Sequence, residues 1–159
     1  MKRVFSILLA AVLALSASCA LAEQKVQLPE NSRYTITLPD GMEYDGPGEK
    51  PDDARFAYLS EALGLEVLFF CYDRGGAALR DICDILLEDN KDAAIYQVNG
   101  IEMIVYRVED PDDPPQKGMK CIGYAWEEGN MIQEISFWYA TKDAAALTEE
   151  IIGSITDKD

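Results

Sequence analysis

The most regular alternation of apolar and polar positions lies between Met119 and Ala140, read as MKCIGYAWEEGNMIQEISFWYA. With the two-residue period of a strand, Lys120, Ile122, Tyr124 and Trp126 share one face, and Cys121, Gly123 and Ala125 the other. Beyond an EEGN turn, Ile135, Phe137 and Tyr139 share a face, opposite Ile132, Glu134, Ser136 and Trp138. Pairing Trp126 with Met131 would set Tyr124 opposite Gln133 and Ile122 opposite Ile135. The stretch therefore reads as a hairpin at the centre of a sheet. Its small-residue face, around Gly123 and Ala125, would admit a closely packed helix.

The same periodicity orders the rest of the chain. Arg33 to Pro39 alternates as a first strand, ended by Pro39-Asp40-Gly41. Met42 to Asp53, with Gly46-Pro47-Gly48 and Lys50-Pro51-Asp52, reads as a loop. Arg55 to Ser60 and Leu65 to Asp73 form a second hairpin around Glu61-Ala62-Leu63-Gly64. Its second strand is apolar on both faces, so both should be covered. After Gly75-Gly76, Ala77 to Glu88 is helical, with Leu79, Ile82, Cys83 and Leu86 at i, i+3, i+4 and i+7. Ala94 to Val98 and Ile101 to Val108 flank Asn99-Gly100, a strong hairpin-turn dipeptide. Thr141 can cap a last helix running to about Ile155. The expected fold class is α+β: a single antiparallel sheet of about six or seven strands, mostly hairpins, with two helices packed on it.

Met1 to Ala22 departs from this pattern. A basic start (Lys2, Arg3), an apolar run from Val4 to Leu15 and a small-residue end at Ala20-Leu21-Ala22 read as a secretory signal peptide, cleaved between Ala22 and Glu23. The run is short for a membrane span; no stable span is expected after processing. A retained anchor, or lipidation at Cys19, are the alternatives. The expected organisation is a signal peptide over 1–22, a flexible N-terminal segment over 23–32, and one α+β domain over 33–156.

Composition narrows function mainly by exclusion. The 159-residue chain has 29 acidic against 14 basic residues, net −15. That charge repels nucleic acid, whose phosphates need clustered Lys and Arg. There is no histidine, which removes Ser-His-Asp and Cys-His nucleophile systems and most zinc sites. Export implies an oxidising compartment, yet the mature chain keeps an odd set, Cys71, Cys83 and Cys121. They read as buried small hydrophobes, with one disulfide among them as the alternative and no way to choose the pair.

Three groups of residues are candidates for chemistry. Glu109, Asp110, Asp112 and Asp113 place four carboxylates in five positions, a weak calcium candidate stiffened by Pro111, Pro114 and Pro115. Trp126 and Trp138 fall on opposite strand faces, so one could reach the surface beside Tyr44 or Tyr72 as a binding patch. Glu102 and Glu134 in predicted strands could serve a glycosidase if they met across one groove. Each group also has a plainer reading: a solvated loop, core aromatics, and strand glutamates facing water. No cofactor is expected.

The chain resembles the Mog1/PsbP-like fold, which includes DcrB-type exported bacterial proteins. The resemblance rests on element order and on Tyr34-Thr35-Ile36-Thr37-Leu38-Pro39-Asp40-Gly41, Val98-Asn99-Gly100-Ile101, Ile135-Ser136-Phe137-Trp138-Tyr139 and Ile151-Ile152-Gly153-Ser154-Ile155. It implies a sandwich architecture and a non-catalytic accessory or binding role, and carries over no functional residue. The expectation is a secreted or cell-envelope-associated, non-enzymatic binding module with an unknown protein or small-molecule ligand. The alternative is a small carboxylate-dependent hydrolase acting on envelope polymers.

Overall fold

The computed structural model describes residues 23–30, 32–46, 54–89, 92–109 and 117–158. The expected signal peptide, including Cys19 and Ala22, lies outside them, as do Asp110, Asp112 and Asp113. Among the described residues no helix is long and apolar enough to cross a membrane.

Among the described residues, ten strands and two helices follow in the order β1 (Gln24–Gln27), β2 (Tyr34–Leu38), β3 (Glu43–Asp45), β4 (Ala54–Ser60), β5 (Leu65–Asp73), α1 (Leu79–Glu88), β6 (Asp92–Val98), β7 (Ile101–Val108), β8 (Lys120–Glu128), β9 (Met131–Tyr139), α2 (Lys142–Gly153) and β10 (Thr156–Asp157). The expected α+β class, antiparallel strands with two helices packed on them, is what forms. The strands divide into two sheets rather than one. A seven-stranded sheet has the order β3-β4-β5-β9-β8-β7-β6, and a three-stranded sheet the order β1-β2-β10.

The second sheet arises from two segments that the apolar pattern underreads. Residues 23–32, expected to be flexible, contribute β1, whose Val26 pairs with Ile36 of β2. Only Val26 and Leu28 are large and apolar there, but both are buried, and two anchors at i and i+2 suffice to commit a strand face. The closing helix stops at Gly153, short of the expected Ile155, so that Thr156 pairs with Thr35. Similarly, the loop expected over Met42 to Asp53 contains β3, which pairs Tyr44 with Tyr58.

The main sheet is covered on both faces, as the apolar β5 requires. On one face the small sheet and α2 close over Val67, Phe69, Val105, Tyr124, Trp126 and Phe137. On the other, α1 lays Leu79 and Cys83 over Ile104, Tyr106, Cys121 and Ala125. The β8–β9 hairpin keeps the expected faces with a shifted register: Trp126 pairs with Gln133, Tyr124 with Ile135 and Ile122 with Phe137. The turn is Gly129-Asn130 alone, with Glu128 opposite Met131. Gly129 takes φ +65°; Asn130 does not take positive φ. That fits a two-residue turn with glycine first, which twists with the strands. A shift of two residues preserves which side chains face the core.

Candidate functional site

The small-residue face of β8 is covered by α1 at Cys121 and Ala125, as expected, and by a side chain at Gly123. Tyr106 of β7 pairs with Gly123, and its ring lies so close that a Cβ on Gly123 would sit 2.0 Å from the ring Cζ. The missing side chain lets the ring cross β8 toward β9. Its hydroxyl donates to Glu134 Oε1 at 2.5 Å and meets Ser136 Oγ at 2.9 Å. Ser136 also donates to Glu134 Oε1 at 3.0 Å, and the Tyr72 hydroxyl of β5 donates to Oε2 at 3.0 Å. One carboxylate thus gathers three hydroxyls, from β5, β9 and, across β8, from β7. Burial raises the pKa of Tyr72 and Tyr106 above the ordinary phenol value, and the Glu134 charge raises both further. Both tyrosines therefore stay protonated near neutral pH.

Glu102 shares this sheet face with Glu134 but stands in a different place. It lines a cleft of about 530 Å³ with Ala78, Leu79, Arg80, Ile95 and Glu127. There Glu127 accepts the Leu79 N–H at 2.7 Å and pairs with Arg74 at 3.1 Å. Glu127 therefore caps α1 from a strand 48 positions later, while Asp81 accepts the Ala78 N–H. The helix consequently begins at Leu79 rather than Ala77. Glu134 is not among that cleft's walls, so the two candidate carboxylates do not form one groove.

The exposed aromatic patch is elsewhere than on the tryptophans. Trp126 is fully buried, and Trp138 is half-buried beside the α1 cluster. Tyr72 is tied to Glu134. Tyr44, however, is 59% exposed at the end of an aromatic row. Its ring stands edge-on to Tyr58 with centroids 5.5 Å apart and tilts against Phe56 at 6.3 Å. Phe56 in turn stacks on the buried Phe69 at 4.7 Å. Cross-strand pairing explains the row: Tyr44 lies opposite Tyr58, and Phe56 opposite Phe69, all on one sheet face. Beside it opens a cleft of about 410 Å³, lined by Gly41, Glu43, Tyr44, Asp45, Leu59, Ser60, Glu61 and Ala62. Reading Met42 to Asp53 as a loop hides this site. The signal available was Tyr44 next to Phe56-x-Tyr58, aromatic residues at strand spacing.

The other candidates fall as follows. Cys71, Cys83 and Cys121 are buried and form no disulfide with one another. Cys71 belongs to the β5 face that carries Val67 and Phe69, opposite the face of Cys83 and Cys121, so it pairs with neither. Burial raises the pKa of Cys71 and Cys83 above the usual thiol value. Glu109 is hydrogen-bonded to Lys120; its three acidic neighbours lie outside the described residues. Among the described residues no group of three or more His, Cys, Asp or Glu is placed to hold a metal ion. Glu23 borders a shallow depression with Thr37, Pro39 and Ser154.

No protein-family profile matches the chain, and no curated protein matches it. Solved structures do. Against the cyanobacterial PsbP (CyanoP) of Synechocystis sp. PCC 6803 the TM-score is 0.60 at 8% identity, covering 90% of this chain and 96% of that one. A protein of Bacteroides thetaiotaomicron VPI-5482 gives a TM-score of 0.54 at 14% identity, over 80% of this chain. The chain spans about half the length of that protein, 46% of it. At such identities the likeness speaks for fold alone: this chain has a PsbP-like fold, consistent with the Mog1/PsbP-like resemblance.

Proposed function

We propose that the protein is a non-catalytic binding or accessory module of the cell envelope or its surroundings. We place its ligand-binding surface at the β3–β4 edge, where it takes a basic segment of a partner protein. The observation that carries this reading is the exposed Tyr44, set on Tyr58 and Phe56 beside the cleft walled by Glu43, Asp45 and Glu61. Aromatic faces and carboxylates attract the same ligand group. A lysine or arginine gains from a ring quadrupole within about 6 Å and from acidic neighbours. The chain's net charge of −15 adds long-range attraction for such a partner. The leader-like stretch over residues 1–22 supports the location. Glu134 instead supports the fold, since its near donors are hydroxyls held protonated by burial.

Calorimetric titration with a short Lys/Arg-rich peptide tests the site. We expect saturable binding that weakens with salt and falls at least about tenfold, or 1.4 kcal/mol, in Tyr44→Ala and Glu61→Lys variants. Binding untouched by both variants, or none at low salt, contradicts the proposal. Export is tested separately by fractionating producing cells. A glycan-hydrolysis assay with Glu102→Gln and Glu134→Gln separates this reading from the carboxylate hydrolase.

A further inference from the structure

At the far edge of the main sheet from this site, β6 has no outer neighbour among the described residues. Sheet edges are normally blunted by shortness, lysine, proline, bulges or charge. The opposite edge, β3, has three residues, two of them acidic. In the small sheet, β1 has four residues including Lys25, and β10 has two. By contrast β6 runs for seven residues, DAAIYQV, pairs with β7 without a register shift, and carries one charge, Asp92, at its start. Exposed apolar side chains flank it on both sides. Tyr96 is 53% exposed on one sheet face, and Leu87 is 49% exposed on α1, which packs on β6 from the other.

We infer that β6 pairs with β6 of a second copy, antiparallel and centred on Ile95, joining two seven-stranded sheets into one. The register follows from the Asn99-Gly100 turn, where φ is +50° and +79°. Such a two-residue turn closes on a hydrogen-bonded pair, here Val98 with Ile101. Alternation then directs the backbone groups of Val98, Tyr96, Ala94 and Asp92 toward β7, and those of Gln97, Ile95 and Ala93 outward. Three outward residues symmetric about Ile95 form a self-complementary ladder. Ile95 meets its twin, and Gln97 meets Ala93 of the second copy. Each Asp92 falls opposite an uncharged Val98, so no like charges oppose one another.

The helices fit the same arrangement. A two-fold axis through Ile95, normal to the sheet, keeps both α1 helices on one face. Because α1 packs mainly on β6, the two helices come side by side across the seam. Paired this way, the β3–β4 edges lie at the two ends of the joined sheet and remain open. The pairing stands apart from the proposed ligand site, and either can fail without the other.

Sedimentation of the purified protein at rising concentration tests the inference. We expect a mass that doubles with concentration, and a dimer that tightens as salt screens the negative charge of each copy. Gln97→Pro removes an outward N–H that the β6–β7 ladder does not use and should abolish the dimer with the circular dichroism spectrum kept. Tyr96→Lys, which leaves the backbone untouched, should weaken it as well and decides the matter if the proline variant fails to fold. A protein that stays monomeric to the order of 100 µM at high salt overturns the inference. So does a dimer that both variants leave intact.

Discussion

At the scale of the residue, the pair that most constrains this chain is Gly123 and Tyr106. A methyl group on Gly123 would collide with the ring at 2.0 Å, so the ring would have to move and lose Glu134 and Ser136. Gly123→Ala should therefore cost about 3 kcal/mol in urea denaturation, from overpacking plus lost hydrogen bonds. In a Tyr106→Ala background the same methyl should cost little; an equal cost in both backgrounds would refute the assignment. The alkaline limb of stability reports on the same cluster. Tyr72 and Tyr106 hold their protons more tightly when folded, first through burial and then through Glu134. That stabilisation is complete below the unfolded tyrosine value of about 10, and is lost as pH rises above it toward the higher folded values. Glu134→Gln removes the charge contribution. In the folded variant, tyrosinate absorbance should therefore rise at lower pH than in the parent; an unchanged titration would count against the assigned geometry.

At the scale of the element, most of the chain was legible because its strands and helices bury clean stripes. Thr141 was readable as an N-cap from its place before an apolar-periodic run, and its hydroxyl accepts the Ala144 N–H at 3.1 Å. Thr141→Ala should cost about 1 kcal/mol, read as a lower urea midpoint; an unchanged midpoint would show α2 held by packing alone. The start of α1 was not readable, because its cap, Glu127, arrives from β8. The strands β1, β3 and β10 were missed for a related reason. Each is short, polar and held mainly by a neighbouring strand, so its own residues carry almost no period. The aromatic site went with β3: Tyr44 looks like a loop residue until Tyr58 is known to lie opposite it. The division into two sheets was likewise hidden, since alternation within a strand does not say which strand pairs with it.

At the scale of the whole molecule, the main sheet gives the protein two unlike edges. One edge, at β3 and β4, is short, acidic and aromatic; the other, at β6, is long and almost uncharged. The first suits a basic side chain, the second another strand. Between them the core is closed on both faces, by the small sheet with α2 and by α1. Amide hydrogen exchange with and without a saturating Lys/Arg-rich peptide tests the functional assignment across the whole molecule at once. Protection should rise at residues 43–45 and 54–62 while the amides around Glu102 and Glu127 stay unchanged. Protection centred on the α1 cleft, or no change anywhere at saturating peptide, would contradict the account.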